Sequence, residues 1–182
     1  FSSQSQESLV IHYKPPDTDC LWMMKPEDQR SPYFLPEIVR GSLHLSDLSR
    51  IQADPILDDY PPTDIFGKEP PHDWCYYYEK ADLRRQSGQW DAIVSLGEEA
   101  AAKGYTPLNI DSPHEWLPFI EGYAYTGDWE TAVELSLASL DRDVRSRPTL
   151  CLLWQQINLV GPQGADNEQA YEQIYSTMQC QE

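Results

Sequence analysis

The chain has 182 residues, of which 13 are basic and 30 acidic, so its formal net charge is −17. Nucleic-acid backbones and anionic membrane surfaces are bound through clustered Lys and Arg, so this charge argues against both as partners. The hydrophobic fraction of 40 % can supply a core. The longest apolar run, 150–154, is far shorter than the roughly 20 residues of a membrane-spanning helix. We therefore expect a soluble domain with no nucleic-acid partner.

Residues 1–72 predict an irregular, proline-rich α+β arm that packs on the rest of the chain. This segment holds ten of the 15 prolines, a density that forbids long helices and central strands. Ser46 is the predicted cap of one short helix. The elements predicted in the arm are two strands joined by a turn, two short helices and an extended loop: 9–13, the turn 14–17, 20–24, 36–40, 46–51 and 54–72.

Residues 73–182 predict a helical domain, because the spacing of apolar residues becomes helical. Asp73 is the predicted cap of the first helix. The sequence Ser112-Pro113-His114-Glu115 is a capping box with proline at the first helical position. Pro118 should kink the helix that follows or move its start to a later residue. Six helices are expected, beginning at Asp73, Gln89, Ser112, Asp128, Pro148 and Ala165.

Two copies of one helix-turn-helix device occur in this domain, Gly88-Gln89-Trp90 and Gly127-Asp128-Trp129. The device resembles the tetratricopeptide repeat. Two departures are Ile93, where a small residue is usual, and the long connection at 105–112. The positions that carry the resemblance are Tyr77, Ala81, Gly88, Trp90 and Ala100 in the first unit, and Trp116, Tyr123, Gly127, Trp129 and Ala132 in the second. The resemblance implies a short superhelical stack of helix pairs, capped by the arm and by the last helix.

A second resemblance covers both parts of the chain. Its motifs are Tyr13-x-Pro15-Pro16, Cys20-Leu21, 74–81 and 116–121. They are similar to the soluble C-terminal domain of uncharacterised bacterial polytopic membrane proteins, some described as glycosyltransferase-like. The resemblance implies a domain on the extracytoplasmic face of a bacterial membrane, reached only through another part of a parent protein. The polar start at Phe1 is then read as a linker, and a free cytoplasmic protein is the alternative.

The residues that most often carry chemistry are scattered. The four histidines form no metal-binding pair, and His114, in the capping box, is expected to face solvent. The cysteines (Cys20, Cys75, Cys151 and Cys180) lack zinc-ligand spacing and permit one or two disulfides of open pairing, or free thiols. Cys75 is read as a core thiol or disulfide partner rather than a nucleophile. The acid pairs at 17/19, 58/59, 98/99 and 141/143 lack calcium-loop spacing. No catalytic residue, cofactor or metal is predicted.

Four tyrosines do not fit one buried stripe: Tyr76, Tyr78, Tyr105 and Tyr125. If they line a groove between repeats, they could clamp an extended peptide or stack on sugar rings. An acidic groove would favour basic or neutral ligands.

The sequence thus predicts a mostly α, non-catalytic domain that binds a protein or peptide partner or senses a ligand, within a larger membrane-anchored protein. The alternative is an accessory domain of a membrane glycosyltransferase that binds glycan or acceptor. A self-contained hydrolase has only the scattered acids in its favour.

Overall fold

The computed structural model describes residues 8–13, 20–30, 35–51, 62–107 and 113–180. They form a mostly α fold with one small sheet, which confirms the predicted class. The strands and helices are β1 (Val10–His12), β2 (Trp22–Met24), α1 (Glu37–Ser42), α2 (Thr63–Phe66), α3 (Trp74–Gln86), α4 (Trp90–Ala102), α5 (Leu117–Thr126), α6 (Trp129–Arg142), α7 (Arg147–Val160) and α8 (Ala165–Met178).

The two predicted strands form an antiparallel pair in which Val10 lies opposite Met24 and His12 opposite Trp22. Ser46 joins both strands and is not a helix cap. Its hydroxyl accepts from the Val10 N–H at 3.1 Å and donates to the Met24 carbonyl at 2.6 Å. A hydroxyl that bonds two strands satisfies backbone groups at the sheet edge, so tertiary contacts outweigh local capping here.

Two further predictions for the arm need correction. The helix expected at 46–51 is a single 3-10 turn, Leu48–Arg50, whose cap is Asp47 accepting from the Ser49 N–H at 3.1 Å. The segment expected to be an extended loop, 54–72, contains the short helix α2. Pro62 precedes the first turn of this helix, and Gly67, at φ 77°, follows its last residue. The turn at 14–17 and the first part of that loop, 54–61, lie outside the described residues.

Helices α3 to α8 confirm the six predicted helices. Asp73 caps α3 by accepting from the Tyr76 N–H, and Asp128 caps α6 by accepting from the Thr131 N–H. The third helix begins later than its capping box, as Pro118 predicts: a 3-10 turn, Pro113–Trp116, precedes α5. Ser112 itself lies outside the described residues.

Both glycines of the repeated device end their helices in the left-handed conformation. Gly88 has φ 66° and Gly127 has φ 87°, values that side chains other than glycine's rarely adopt. A matching backbone hydrogen bond closes each helix end. The Gln89 N–H donates to the Arg84 carbonyl at 3.1 Å, and the Asp128 N–H donates to the carbonyl of residue 123 at 2.9 Å. These are Schellman motifs, so the repeated sequence encodes a repeated turn.

Consecutive helices pack in pairs, α3 with α4, α5 with α6 and α7 with α8. Contacts also join α3 to α5, α5 to α7 and α6 to α8. Two hydrophobic clusters fill the interior. One cluster contains residues of the four helices α5, α6, α7 and α8, including Trp154 and Ile174. The other joins the N-terminal elements to α3, α4 and Phe119. Helix α5 contributes to both clusters and therefore links them.

The large residue at Ile93 is matched by a missing side chain on α5. A Cβ added at Gly122 would lie 2.7 Å from Ile93 Cγ2, closer than packed carbon atoms approach. Ile93 is fully buried. The departure from the repeat pattern at Ile93 is thus accommodated by the glycine that faces it.

Candidate functional site

The four tyrosines predicted to line a groove are not on one surface. Tyr76 stacks on His72, with ring centroids 3.6 Å apart, and Tyr125 stacks on Trp90 at 4.3 Å. Tyr78 is 1 % exposed and packs inside the molecule. The ring of Tyr78 therefore has no face open to a ligand, which corrects its inclusion in the groove.

Tyr77 has ring contacts with both Tyr76 and Tyr105. The ring centroid of Tyr77 lies 5.2 Å from that of Tyr76 and 6.0 Å from that of Tyr105. The Tyr77 hydroxyl donates to Glu99 at 2.8 Å and accepts from Lys103 at 2.5 Å. This network ties α3 to the end of α4, and it gives Tyr77 a structural role.

The repeat positions are mainly interior ones. Tyr77, Ala81, Ala100, Tyr123 and Ala132 are buried, with at most 9 % of each side chain exposed. The three tryptophans of the repeat pattern are half-buried and pack against the clusters: Trp90, Trp116 and Trp129. These positions therefore stabilise the fold.

His114 is buried, which corrects its predicted exposure. Its ring stacks on Trp22 at 4.3 Å and meets the edge of Tyr78 at 5.8 Å, and it is 3 % exposed. Neither ring nitrogen has a hydrogen-bond partner among the described residues. Burial, together with the charges of His12 and Arg85, lowers the pKa of His114 to about 3. His114 is therefore neutral and acts as an aromatic core residue.

A buried ionic cluster lies close to this aromatic group, and nothing in the sequence analysis predicted it. Arg85 of α3 lies 2.6 Å from Asp82 and 3.3 Å from Glu121 of α5. Asp28 is 8 % exposed and accepts from the Lys25 N–H at 2.8 Å. One signal was available: Glu121 interrupts the otherwise uncharged, buried run 117–124. A charge in such a run is costly unless it is paired inside the protein.

Burial dominates the electrostatics of this cluster. It raises the pKa of Asp28 and of Asp82, and the nearby Arg85 acts against that rise in both. Burial alone would lower the pKa of Arg85, but Asp82, Glu121 and Asp28 together raise it above its ordinary value. Arg85 therefore remains charged, with more carboxyl groups around it than it can neutralise.

One side of this cluster opens into a cleft of about 340 Å³ between α3, α5 and α7, which we call the ionic cleft. Two of its buried polar groups, the Thr149 hydroxyl and the Arg85 Nε, have no hydrogen-bond partner among the described residues. Its far side is apolar and exposed. The lining residues are Lys25, Asp28, Arg85, Leu117, Glu121, Thr149, Leu152, Leu153, Gln155, Gln156, Leu159 and Val160.

All four cysteines form disulfides, which settles the pairing that the sequence left open. Cys20 bonds Cys75, tying the N-terminal segment to α3, and Cys151 bonds Cys180, tying α7 to the residues after α8. The backbone N–H next to Cys20, that of Leu21, also donates to Glu79 at 3.0 Å. Cys75 is thus a disulfide partner, the interpretation favoured over a nucleophile.

The acid pairs that the structure describes have structural contacts. Glu99 accepts from Tyr77 and Lys103, and Asp143 caps a 3-10 turn by accepting from the Arg145 N–H at 3.0 Å. The pairs 17/19 and 58/59 lie outside the described residues. Within the described ranges, no three His, Cys, Asp or Glu side chains converge as a metal site would require.

No helix in the described part of the chain is both long and apolar enough to cross a membrane.

Comparisons of the chain with protein-family models, with curated proteins and with solved structures return no match. The resemblances described from the sequence therefore stay predictions, and the function rests on the geometry of the clefts.

Proposed function

We propose that this chain is a non-catalytic interaction domain that binds an extended peptide segment of a partner in the ionic cleft. The observation that carries the proposal is the junction in this cleft of buried, incompletely paired polar groups with an exposed apolar strip. Peptide recognition needs both, because side chains bury apolar area while backbone groups require hydrogen-bond partners.

The apolar strip lies on α7. Leu152, Leu159 and Val160 are 40 %, 73 % and 65 % exposed and line one side of the cleft. Residues 152 and 159 are two turns apart, so they share a helix face. Covering such side chains gains about 25 cal/mol per Å² of apolar area. A partner with apolar side chains at matching intervals would obtain this gain.

The polar side of the cleft supplies groups for the peptide backbone. The Thr149 hydroxyl and the Arg85 Nε–H are buried without a partner in the described part of the chain, and a small shift of either side chain toward the cleft would let it donate to a carbonyl oxygen. An unsatisfied buried donor costs about 1–3 kcal/mol, which a bound carbonyl would recover. The free protein therefore carries a penalty that binding relieves.

The charges favour a cationic partner. Two carboxyl groups, Asp28 and Glu121, line the cleft with two cations, Lys25 and Arg85, while Asp82 lies behind Arg85. The carboxyl groups outnumber the cations here, within a chain of net charge −17. A field of this sign attracts basic peptides over long range, an effect that salt screens.

The setting of the domain is part of the proposal. The two disulfides favour an oxidising, extracytoplasmic compartment. The contacts from α3 to α5 and from α5 to α7 are those expected of stacked tetratricopeptide-like pairs, in which the first helix of each pair lines the groove. Together they support a helical-repeat domain in an extracytoplasmic compartment. That a larger, membrane-anchored bacterial protein carries the domain rests on the sequence resemblance alone.

The test uses capped peptides of equal leucine content that carry Lys, Gln or Glu at the same positions. We expect affinity to fall in that order, and the advantage of Lys over Gln to shrink between about 0.05 M and about 0.5 M salt. Leu159→Gln, which removes the apolar side chain without adding charge, should weaken binding of the Lys peptide by tenfold or more, about 1.4 kcal/mol. Ile65→Gln, on α2, is the matched control because Ile65 is 76 % exposed and outside the cleft lining.

Two results would overturn the proposal. One is the absence of saturable binding by any of the three peptides, and the other is equal weakening by Leu159→Gln and Ile65→Gln. Thr149→Val separates the polar half of the cleft from the apolar half, since it removes only the hydroxyl. It should weaken binding and should also raise the free energy of unfolding by about 1 kcal/mol, because a buried unpaired group is lost.

A further inference from the structure

A second cleft lies away from the buried charges, where α4, α5 and the middle of α6 meet the start of α3. Its volume is about 320 Å³, and we call it the aromatic cleft. Its aromatic lining comes from Trp74, Tyr105, Trp116, Phe119 and Tyr123. Small residues of α4 and its C-terminal turn, Gly97, Ala101 and Gly104, also line it, together with Leu135 of α6.

The described residues that line the aromatic cleft carry no charge. Asp, Glu, Lys and Arg make up 24 % of the chain, yet none of them is among these residues. The hydrogen-bonding side chains of this described lining are the hydroxyls of two tyrosines and two threonines, together with the indoles. A charged ligand would lose its hydration here without gaining a counter-charge, which is costly.

The polar edge of Trp74 is turned away from any ligand. Its indole N–H donates to Glu115 at 2.5 Å, and Glu115 is fully buried. The Trp74 ring also packs against Trp116 at 6.2 Å and Phe119 at 5.4 Å between centroids. With its donor satisfied inside the protein and its ring fixed by neighbours, Trp74 offers the cleft a preformed hydrocarbon surface.

We infer that the aromatic cleft binds a small, uncharged, ring-bearing ligand through ring-to-ring contacts. Its volume is at the small end of the usual range of ligand pockets, which suits a single ring with a short substituent. A saccharide fits less well, because the hydroxyls of Tyr105, Thr106, Tyr123 and Thr131 are too few for its many polar groups. This site is separate from the ionic cleft, so the inference does not depend on the peptide proposal.

The probes are three compounds with one ring and different charge, benzyl alcohol, benzoate and benzylammonium, together with methyl β-glucoside. Binding is followed by protein NMR chemical-shift titration. Benzyl alcohol should saturate with a Kd of about 1 mM or tighter, within the bound set by its size. Both ions and the glucoside should bind at least tenfold more weakly, since their charges or hydroxyls stay unpaired in the cleft.

A pair of adjacent alanines provides the matched variants. Ala101 lines the cleft and Ala102, next to it on α4, does not, while both are exposed. Ala101→Leu should project into the cleft, obstruct the ring site and abolish the benzyl alcohol shifts, and Ala102→Leu should leave the Kd unchanged. Both variants retain the fold on this reasoning, which far-UV circular dichroism checks.

Each contrary outcome refutes the inference in a distinct way. Tightest binding by benzylammonium would indicate attraction to the net negative charge rather than to the cleft. Saturable binding of methyl β-glucoside that Ala101→Leu removes would make the ligand a saccharide. Equal binding of benzyl alcohol to both leucine variants, or none to the parent chain, would leave the cleft without the proposed ligand.

Discussion

His114 allows the sharpest test of the interior, because a neutral imidazole is held there without a hydrogen bond to any residue that the structure describes. We expect His114→Phe to preserve the stacking on Trp22 and the edge contact with Tyr78 while removing both unpartnered nitrogens. At neutral pH the variant should be as stable as the parent chain or more stable. The reason is that deleting an unsatisfied buried polar group removes its desolvation penalty.

The pH dependence gives the magnitude. The pKa of His114 is about 3 in the folded protein, against 6.5 for an ordinary histidine. The unfolded chain therefore takes up the proton first as the pH falls. The contribution of His114 to stability is complete above pH 6.5 and is lost as the pH falls toward 3. Linkage gives a loss of about 2 kcal/mol between about pH 8 and about pH 5, and at most about 5 kcal/mol below pH 3.

Other groups respond with the opposite sign. Burial raises the pKa values of Asp28, Asp82 and Glu79, so the folded protein takes up their protons first and gains stability as the pH falls through those values. The total acid profile of the parent chain therefore mixes both effects. Only the difference between parent and variant isolates His114.

The assay is urea denaturation of both proteins from about pH 8 to about pH 4.5, with His44→Phe as a control for the same change at an exposed position. The free energy of unfolding of His114→Phe should exceed that of the parent by an amount that grows as the pH falls. By about pH 5 this added difference should reach about 2 kcal/mol. Parallel profiles for parent and His114→Phe would refute the assignment of a neutral, desolvated imidazole at this position.

Three further predictions concern the scaffold. Replacing Cys20 and Cys75 together by Ala should lower the free energy of unfolding by about 4 kcal/mol, because the bond closes a loop 55 residues long; a loss under about 1 kcal/mol would contradict this. Gly122→Ala should cost about 1–3 kcal/mol by clashing with Ile93, and in a double-mutant cycle with Ile93→Ala the combined loss should be less than the sum. Gln179→Gly should raise the melting temperature slightly, with a gain of about 0.5 kcal/mol, since Gln179 holds φ 55° after α8. No change would indicate that this helix end is frayed.

The helical part of the fold could be predicted from sequence because its signals are local. Asp73 and Asp128 begin helices where they were expected, and Gly88 and Gly127 end them. Pro118 predicted a later start for the third helix, and α5 does begin after the capping box. Each of these signals acts within one turn of backbone, so no knowledge of the partner helix is needed.

Three of the errors share one physical cause, which is competition from distant residues. Ser46 could cap a helix, yet its hydroxyl bonds both strands of the sheet. Glu115 could complete a capping box, yet it bonds Trp74, a residue 41 positions earlier. His114 follows proline in a helix-start pattern that usually faces solvent, but Trp22 covers it. Local sequence patterns do not show contacts between residues that are far apart in the chain. The ionic cluster was missed for the same reason.

Helix α5 explains why one short segment borders two chemically different clefts. Each residue advances about 100° around a helix, so Leu117 and Glu121 fall on one face and Phe119 and Tyr123 on the opposite face. The first pair lines the ionic cleft and the second the aromatic cleft. All four are buried, and Leu117, Phe119 and Tyr123 belong to the hydrophobic clusters that α5 links, so substitutions on α5 would disturb both sites and the core together. Substitutions at exposed positions on the rims can therefore distinguish the two binding activities, which substitutions on α5 cannot. These positions are Leu159 for the ionic cleft and Ala101 for the aromatic cleft.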